Sequence, residues 1–215
     1  AAATKEAIIW GVIKGGTAVI YSGAATSTAT IAAPLNADDV QFAVRELKGN
    51  HATMLTKRLD GSSNFGSSAV GASFVLVGHT NAEADFVNMD GFVSIENYGS
   101  FKPIHDNEIG KVRSARIILT PHLEPAFGAG STSISGVLSN GTAVDVYSSV
   151  LLGKDCFAVV PLAGMNSAKI VIKNPTETYE DPLAQRGFIS WRMWYAAKIL
   201  NDAWMTRIEH AVSAL

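Results

Sequence analysis

The sequence predicts an α+β protein built mainly from short strands, and three observations carry that expectation. Apolar residues make up 47% of its 215 residues and charged residues only 17%. Ordinary domains carry about a quarter charged residues, so this is not a disordered, charge-extended chain. Its β-rich runs are brief and bounded by Gly, Pro, Asn and Ser, the punctuation of strands and turns. One segment, by contrast, carries a full set of helix start and stop signals. A folded chain of this size buries about 70% of the surface of its extended form, enough for one sizeable core without staples.

The elements follow in order. Ile8, Ile9, Val12 and Ile13 share one face of a helix over Ala1 to Lys14, which reads as the last turns of a longer one and stops at Gly15-Gly16. Thr17 to Tyr21 is a short strand, Ser22-Gly23 a turn, and Thr28 to Ile31 its return strand, closed by Pro34. The clearest helix spans Ala37 to Lys48. Asn36 is its N-cap, Asp38 and Asp39 suit the positive end of the dipole, Val40, Ala43, Val44 and Leu47 form the apolar face, and Gly49 stops it. Asp60 to Ala72 is rich in Gly and Ser and reads as a loop. Ser73 to Gly78 reads as a buried strand, and Thr80 or Asn81 caps a short helix over Ala82 to Met89, ended by Asp90-Gly91. Phe92 to Ile95 is a further strand, and in the hairpin-like region that follows, Lys111 to Thr120 alternates and is rich in Val and Ile. Asn140-Gly141 between Ser133–Leu138 and Thr142–Tyr147 is a hairpin signal. Phe157 to Leu162 and Ala168 to Ile172 add two strands. From Phe188 to Leu200 the odd positions carry Ile189, Trp191, Met193, Tyr195, Ala197 and Ile199, which predicts one long strand, with Asn201-Asp202 as its turn and Trp204 to Glu209 as its return.

Composition narrows function. A formal charge of −2 lacks the basic excess of a duplex-binding module. The single cysteine, Cys156, sits in an apolar run; it reads as a core residue in a reducing compartment, since one thiol forms neither an internal disulfide nor a multi-cysteine zinc site. The apolar runs fall well short of a membrane span, and no signal-peptide pattern opens the chain. Gly11 to Thr17 has P-loop-like glycine spacing but lacks the Lys before Thr and follows a helix. There is no Gly-x-Ser-x-Gly elbow, and Gly128-Ala129-Gly130 has no third glycine at dinucleotide spacing. Asn140-Gly141-Thr142 matches a glycosylation sequon that the hairpin already explains. Asp85 and Asp181 are lone acids. His105-Asp106-Asn107-Glu108 reads as a loop approaching a strand, His79 as a hydrogen-bonding residue at a strand end, and His51, His122 and His210 have no recognisable partners. Three of the four tryptophans, Trp191, Trp194 and Trp204, cluster near the C-terminus among mixed charges, which suits a core or a subunit interface better than a stacking platform. No catalytic, cofactor-binding or metal-binding residue is expected.

The C-terminal block says more. Asp181-Pro182-Leu183-Ala184-Gln185-Arg186-Gly187, then Trp191, then Ala196 to Glu209 resembles the end of a tailed-bacteriophage major capsid protein of the N-four-type coat protein family. Asn107 to Arg113 with Arg116-Ile117, Asp145-Val146-Tyr147 before Gly153-Lys154-Asp155, and Ile170 to Lys173 before Asp181-Pro182 are similar to further blocks of that family, in the same order from about Ala7 to Glu209. The resemblance implies a Hong Kong 97-like capsid fold of peripheral plus axial domains: 1–36 as the first part of the peripheral domain with the end of its spine helix, 37–162 as the axial domain, and 163–215 as the peripheral return strands. The family's N-terminal arm and extended loop, expected before this helix, are absent from these residues, which reads as a truncated or processed form. It further implies a self-assembling, non-enzymatic subunit of the icosahedral shell, joined to copies of itself in pentamers and hexamers. Minor capsid or decoration proteins are further partners, packaged DNA is touched only non-specifically, and no membrane is involved. The protein is then a virion component made in the bacterial host cytoplasm. On that reading the Asp60 to Ala72 stretch is an axial contact. Two rivals stand beside it: a small hydrolase or metal-dependent enzyme using His79 and the His105 to Glu108 loop, and a carbohydrate-binding module with Trp191, Trp194 and Trp204 as its platform.

Overall fold

The computed structural model of the protein describes residues 2–16, 18–60, 66–99, 102–132, 135–161, 169–177 and 179–214. α1 (Ala2–Ile13) occupies the expected N-terminal segment. It stops where the glycines predict: the Gly15 and Gly16 N–H groups bond back to the carbonyls of Val12 and Ile13. β1 (Val19–Tyr21) follows; Thr17 lies outside the described residues. The return strand expected over Thr28 to Ile31 is instead a 3-10 turn, Thr28–Thr30. The Thr30 hydroxyl explains the difference. It accepts the Thr26 and Ser27 N–H groups at 3.1 and 3.2 Å and donates to the Ser27 carbonyl at 2.8 Å, and such local bonds compete with a ladder.

α2 (Ala37–Gly49) is the helix the sequence marks most clearly. The Asn36 Oδ1 accepts the Asp39 N–H at 2.9 Å, and the Asp39 carboxylate accepts the Asn36 N–H in return. Val40, Ala43, Val44 and Leu47 are all buried. Gly49 does not end it: the helix includes Gly49, Asn50 caps it, and the left-handed residue is His51 at φ 56°. Replacing Asn36 by alanine orphans a helix-start donor, so it should cost about 1 kcal/mol and lower Tm by about 2–4 °C. A calorimetric scan checks this.

β2 (Leu55–Asp60) and β3 (Gly66–His79) form an antiparallel hairpin. The Asp60 to Ala72 stretch, expected as a loop, is therefore strand from Gly66 onward, and residues 61–65 lie outside the described set. The backbone ladder to β2 prevails over the weak strand preference of Gly and Ser. A 3-10 turn (Thr80–Ala82) and α3 (Glu83–Val87) follow. Neither Thr80 nor Asn81 is a cap: His79 caps the 3-10 turn, its Nδ1 accepting the Asn81 N–H at 3.0 Å, and Ala82, without a side-chain bond, stands at the start of α3. β4 (Phe92–Ser94) is as expected. The alternating run Lys111 to Thr120 is broken in two, β5 (Glu108–Val112) and β6 (Ala115–Thr120), by a tight turn at Arg113, φ 52°, and Ser114. Asn140-Gly141 does turn the chain. The Asn140 Oδ1 accepts the Thr142 and Ala143 N–H groups and Gly141 takes φ 91°. The expected hairpin strands reduce to one bridge, Ser139 to Val144, because Val137 pairs with Ser213 and Val146 with Ala126 instead; residues 133 and 134 are not described. β7 (Tyr147–Leu152), β8 (Phe157–Pro161) and β9 (Lys169–Lys173) follow, with Leu162 and Ala168 outside the described residues. The single strand expected over Phe188 to Leu200 divides into β10 (Phe188–Arg192) and β11 (Tyr195–Ile199), because the two halves pair with different partners, β9 and β8. β12 (Met205–His210) is the last strand.

One mixed sheet organises the fold, in the order β1-β12-β7-β3-β6-β5-β4, with β2 also on β3. β12 does not return on β11. It lies between β1, to which it is parallel, and β7, to which it is antiparallel. The run Phe74-Val75-Leu76-Val77 shows why this sheet is buried on both sides. Phe74 and Leu76 join the core under α2 and α3, with Ile117, Leu119, Leu151 and Ile208. Val75 and Val77 join the opposite core with Ile13 of α1, Val150, Leu152, Cys156 and Met205. Strict alternation sends neighbours to opposite faces, and an unbroken apolar run is what two covered faces demand. Gly78 lets α3 seat closely: a Cβ there would lie 2.6 Å from the Phe86 ring. α1 packs on β11, outside the second core, with Trp10 and Ile199 against it.

Candidate assembly surface

The groups that chemistry would recruit are each committed locally. His79 caps the turn after β3, and His105 Nδ1 accepts the Asn107 N–H at 3.0 Å. Glu108 opens β5 and is buried against Arg116, Oε1 to Nη1 3.2 Å. The Tyr98 hydroxyl donates to the same carboxylate at 2.7 Å, and Arg116 also donates to the Lys102 carbonyl at 3.0 Å. Burial pushes the Tyr98 phenol far above its ordinary range, and its bond to Glu108 adds to the push. Among the described residues no three His, Cys, Asp or Glu side chains are grouped to hold a metal, and no helix is long and apolar enough to cross a membrane. Burial lifts the Cys156 thiol to about 11, which suppresses the thiolate a nucleophile needs.

Two histidines without partners in the sequence acquire them in the fold. His122 Nε2 lies 3.4 Å from Glu6 Oε2. Burial alone would raise the Glu6 carboxyl, but bonds from Thr120 and Trp10 and the fields of His122 and His105 prevail and hold it below the usual range. These bonds tie α1 to the end of β6. His210 is fully buried. Its Nδ1 is 2.7 Å from the Ala211 carbonyl, which can only accept, so Nδ1 carries the proton and Nε2 accepts from Ser149 Oγ at 2.8 Å. Burial holds the His210 pKa below its ordinary value against the Ala211 bond and the fields of Asp85 and Asp39, which favour the cation; burial and Lys14 do the same to His79. Both rings fold neutral, so the unfolded chain binds more protons below its own pKa near 6.5. Stability should therefore be full above that pH and fall as pH drops below it. Urea midpoints at pH 7.5 and 5.5 measure the loss, which should shrink in a His210→Gln variant.

The exposed apolar surface is concentrated on one feature. β9 and β10 form a two-stranded ribbon outside the main sheet, with pairs Ile170–Trp191 and Ile172–Ile189 directly opposite. Those four side chains share one face, and alternation puts Lys169, Lys173 and Arg192 on the other with Val171, Phe188 and Ser190. Ile170 and Ile172 are each 65% exposed, Ile189 76% and Trp191 53%. Trp194, at the break before β11, and Val160 of β8 are also exposed. Trp204 is different: it packs on the second core and donates its Nε1 to the Asn50 carbonyl. The C-terminal aromatic cluster is thus split between core and surface. A lone two-stranded ribbon is marginal in water, and contiguous apolar surface of this kind marks a contact site.

The fold is mostly sheet with mixed helix and strand, and the solved structures that share it are phage capsids. Three comparisons bear on it. The major capsid protein of Pseudomonas phage KPP21 is 24% identical over 208 residues, covering 89% of this chain and 52% of that protein. The capsid of Ralstonia phage GP4 superposes with a TM-score of 0.61 at 14% identity, covering 91% of this chain and 53% of that one. The acidic stable capsid structure of Helicobacter pylori bacteriophage KHP30 gives 0.56 at 8% identity, covering 97% and 64%. This chain spans about half the length of the curated relative it matches. No family model matches it.

Proposed function

We propose that this chain is the major capsid subunit of a tailed bacteriophage, of the N-four coat-protein type, with the Hong Kong 97-like fold. It acts by packing, not by catalysis. The observation that carries the reading is the β9–β10 ribbon, whose all-apolar face finds no cover within the described chain; the likeness to phage capsids in sequence and fold supports it. The partners are copies of the same chain in pentamers and hexamers, with minor capsid or decoration proteins as further candidates and DNA touched only non-specifically. The protein is made in the host cytoplasm and resides in the virion. Residues 1–36 and 163–215 form the peripheral domain and 37–162 the axial domain. We count β1 and β12 with the axial sheet into which they pair, an adjustment to those boundaries. The Asp60 to Ala72 stretch is the axial contact in this reading. Light scattering followed by negative-stain microscopy tests the proposal, on this chain and on a form carrying upstream residues. Pentamers, hexamers or shells are expected. A monomer in both samples at all concentrations would overturn it.

A further inference from the structure

A recess of about 240 Å³ opens beside the first half of β3, walled by Ser73, Tyr98, Lys111, Arg113 and Arg116. It exists because β3 begins before its partner. The β3–β6 ladder starts at Phe74 opposite Ala115, which leaves Gly71 to Ser73 beyond the end of β6.

The walls are cationic beyond what the chain neutralises. Lys111 and Arg116 stand directly opposite each other in the β5–β6 ladder, an arrangement that like charges disfavour. The Tyr98 ring takes up part of the repulsion, with Arg116 Cζ 5.0 Å and Lys111 Nζ 5.5 Å from its centroid. Glu108 balances Arg116. Among the described residues no carboxylate pairs with Lys111, and Arg113 has only Asp90 at 3.9 Å, on an exposed edge where such pairs are weak. Two positive charges remain.

A second observation is independent of charge. Ser73 is 6% exposed, and its Oγ is buried without any hydrogen-bond partner among the described residues. Buried hydroxyls are normally satisfied, and an orphan calls for a missing partner. Ser73 is one of the residues that line the cationic recess. We propose that the recess binds a dianionic oxyanion of the phosphate class, with Lys111 and Arg113 matching its charge and Ser73 Oγ donating to one of its oxygens. The volume lies below the roughly 300–1,000 Å³ of pockets that hold drug-sized ligands and suits a single phosphate group. The inference does not depend on the coat-protein reading.

The test is titration of the isotope-labelled chain with sodium phosphate, followed by amide NMR, ionic strength being held constant with chloride. Saturable shifts at Ser73, Ser114 and Arg116 are expected. Lys111→Gln should weaken binding about tenfold, the worth of one charge-assisted bond. Ser73→Ala should weaken it several-fold while leaving Tm unchanged or raised, because that buried hydroxyl bonds nothing in the free chain. A single-stranded oligonucleotide separates the sources. Displacement of phosphate by it assigns the site to nucleic-acid phosphates, and no displacement assigns it to free phosphate. Shifts that do not saturate, that acetate reproduces at equal ionic strength, or that survive Lys111→Gln unchanged would overturn the proposal.

Discussion

Replacing Glu108 by alanine will destabilise the protein by about 3–5 kcal/mol, the largest loss expected from any single polar substitution here. Glu108 and Arg116 are 3% and 4% exposed. Removing the carboxylate leaves a guanidinium in the interior with the Lys102 carbonyl and the Tyr98 face as its remaining company. It also strands the Tyr98 hydroxyl, which donates to the same carboxylate. The cost is that of an uncompensated charge, not the net worth of the pair. A double variant, Glu108→Leu with Arg116→Met, removes both charges and should recover most of the loss. Equilibrium urea unfolding of the three proteins measures this. A single variant within about 0.5 kcal/mol of the parent, the range of ordinary surface changes, would contradict the argument.

On the coat-subunit reading, placing aspartate at Ile172 and Ile189 together will abolish assembly while leaving the monomer folded. Both side chains are mostly exposed and stand on the β9–β10 ribbon outside the main sheet, so the cost to the free subunit, that of two like charges directly opposite each other, is confined to the ribbon. In an interface the same positions would bury two carboxylates without partners, which no packing offsets. The expected result is an unchanged circular-dichroism melt together with the loss of capsomers and shells in light scattering and microscopy of the assembling protein. Shells formed as readily as by the parent would remove the ribbon from the set of subunit contacts. A lost melt would instead show that the ribbon supports the monomer.

These two outcomes separate the roles of polar and apolar groups here. The charged pair at Glu108 holds the hairpin of β5 and β6 to the Tyr98 segment from inside. The apolar ribbon contributes to nothing the described chain can complete alone. The rival readings fare differently against this division. The hydrolase or metal-enzyme reading needs His79 and the His105 to Glu108 segment to be available, and the fold spends His79 on a cap, His105 on a turn and Glu108 on an ion pair. The carbohydrate-platform reading needs Trp191, Trp194 and Trp204 on one surface, and Trp204 is engaged with the second core and the Asn50 carbonyl.

Legibility followed the range of the interaction. The sequence by itself determined α2, because Asn36, Asp39 and the Val40 to Leu47 face act within a few residues of one another. It determined the stop after α1, the turn at Asn140-Gly141 and the burial of Cys156, all local matters of backbone freedom or apolar context. It also marked the apolar, aromatic C-terminal strands, although not their division. What only the tertiary structure decided was pairing. β1 lies beside a strand nearly 190 positions away, Val19 against Arg207, and β12 turns from its neighbour β11 to enter the main sheet. Gly66 to Ala72 becomes strand through β2 and not through its own preference. The Glu108–Arg116 pair, the Ser149–His210 bond and the cationic recess at Ser73 arise where those pairings bring segments together. Ladder bonds and burial are earned between residues distant in the chain, so no window of sequence contains both partners.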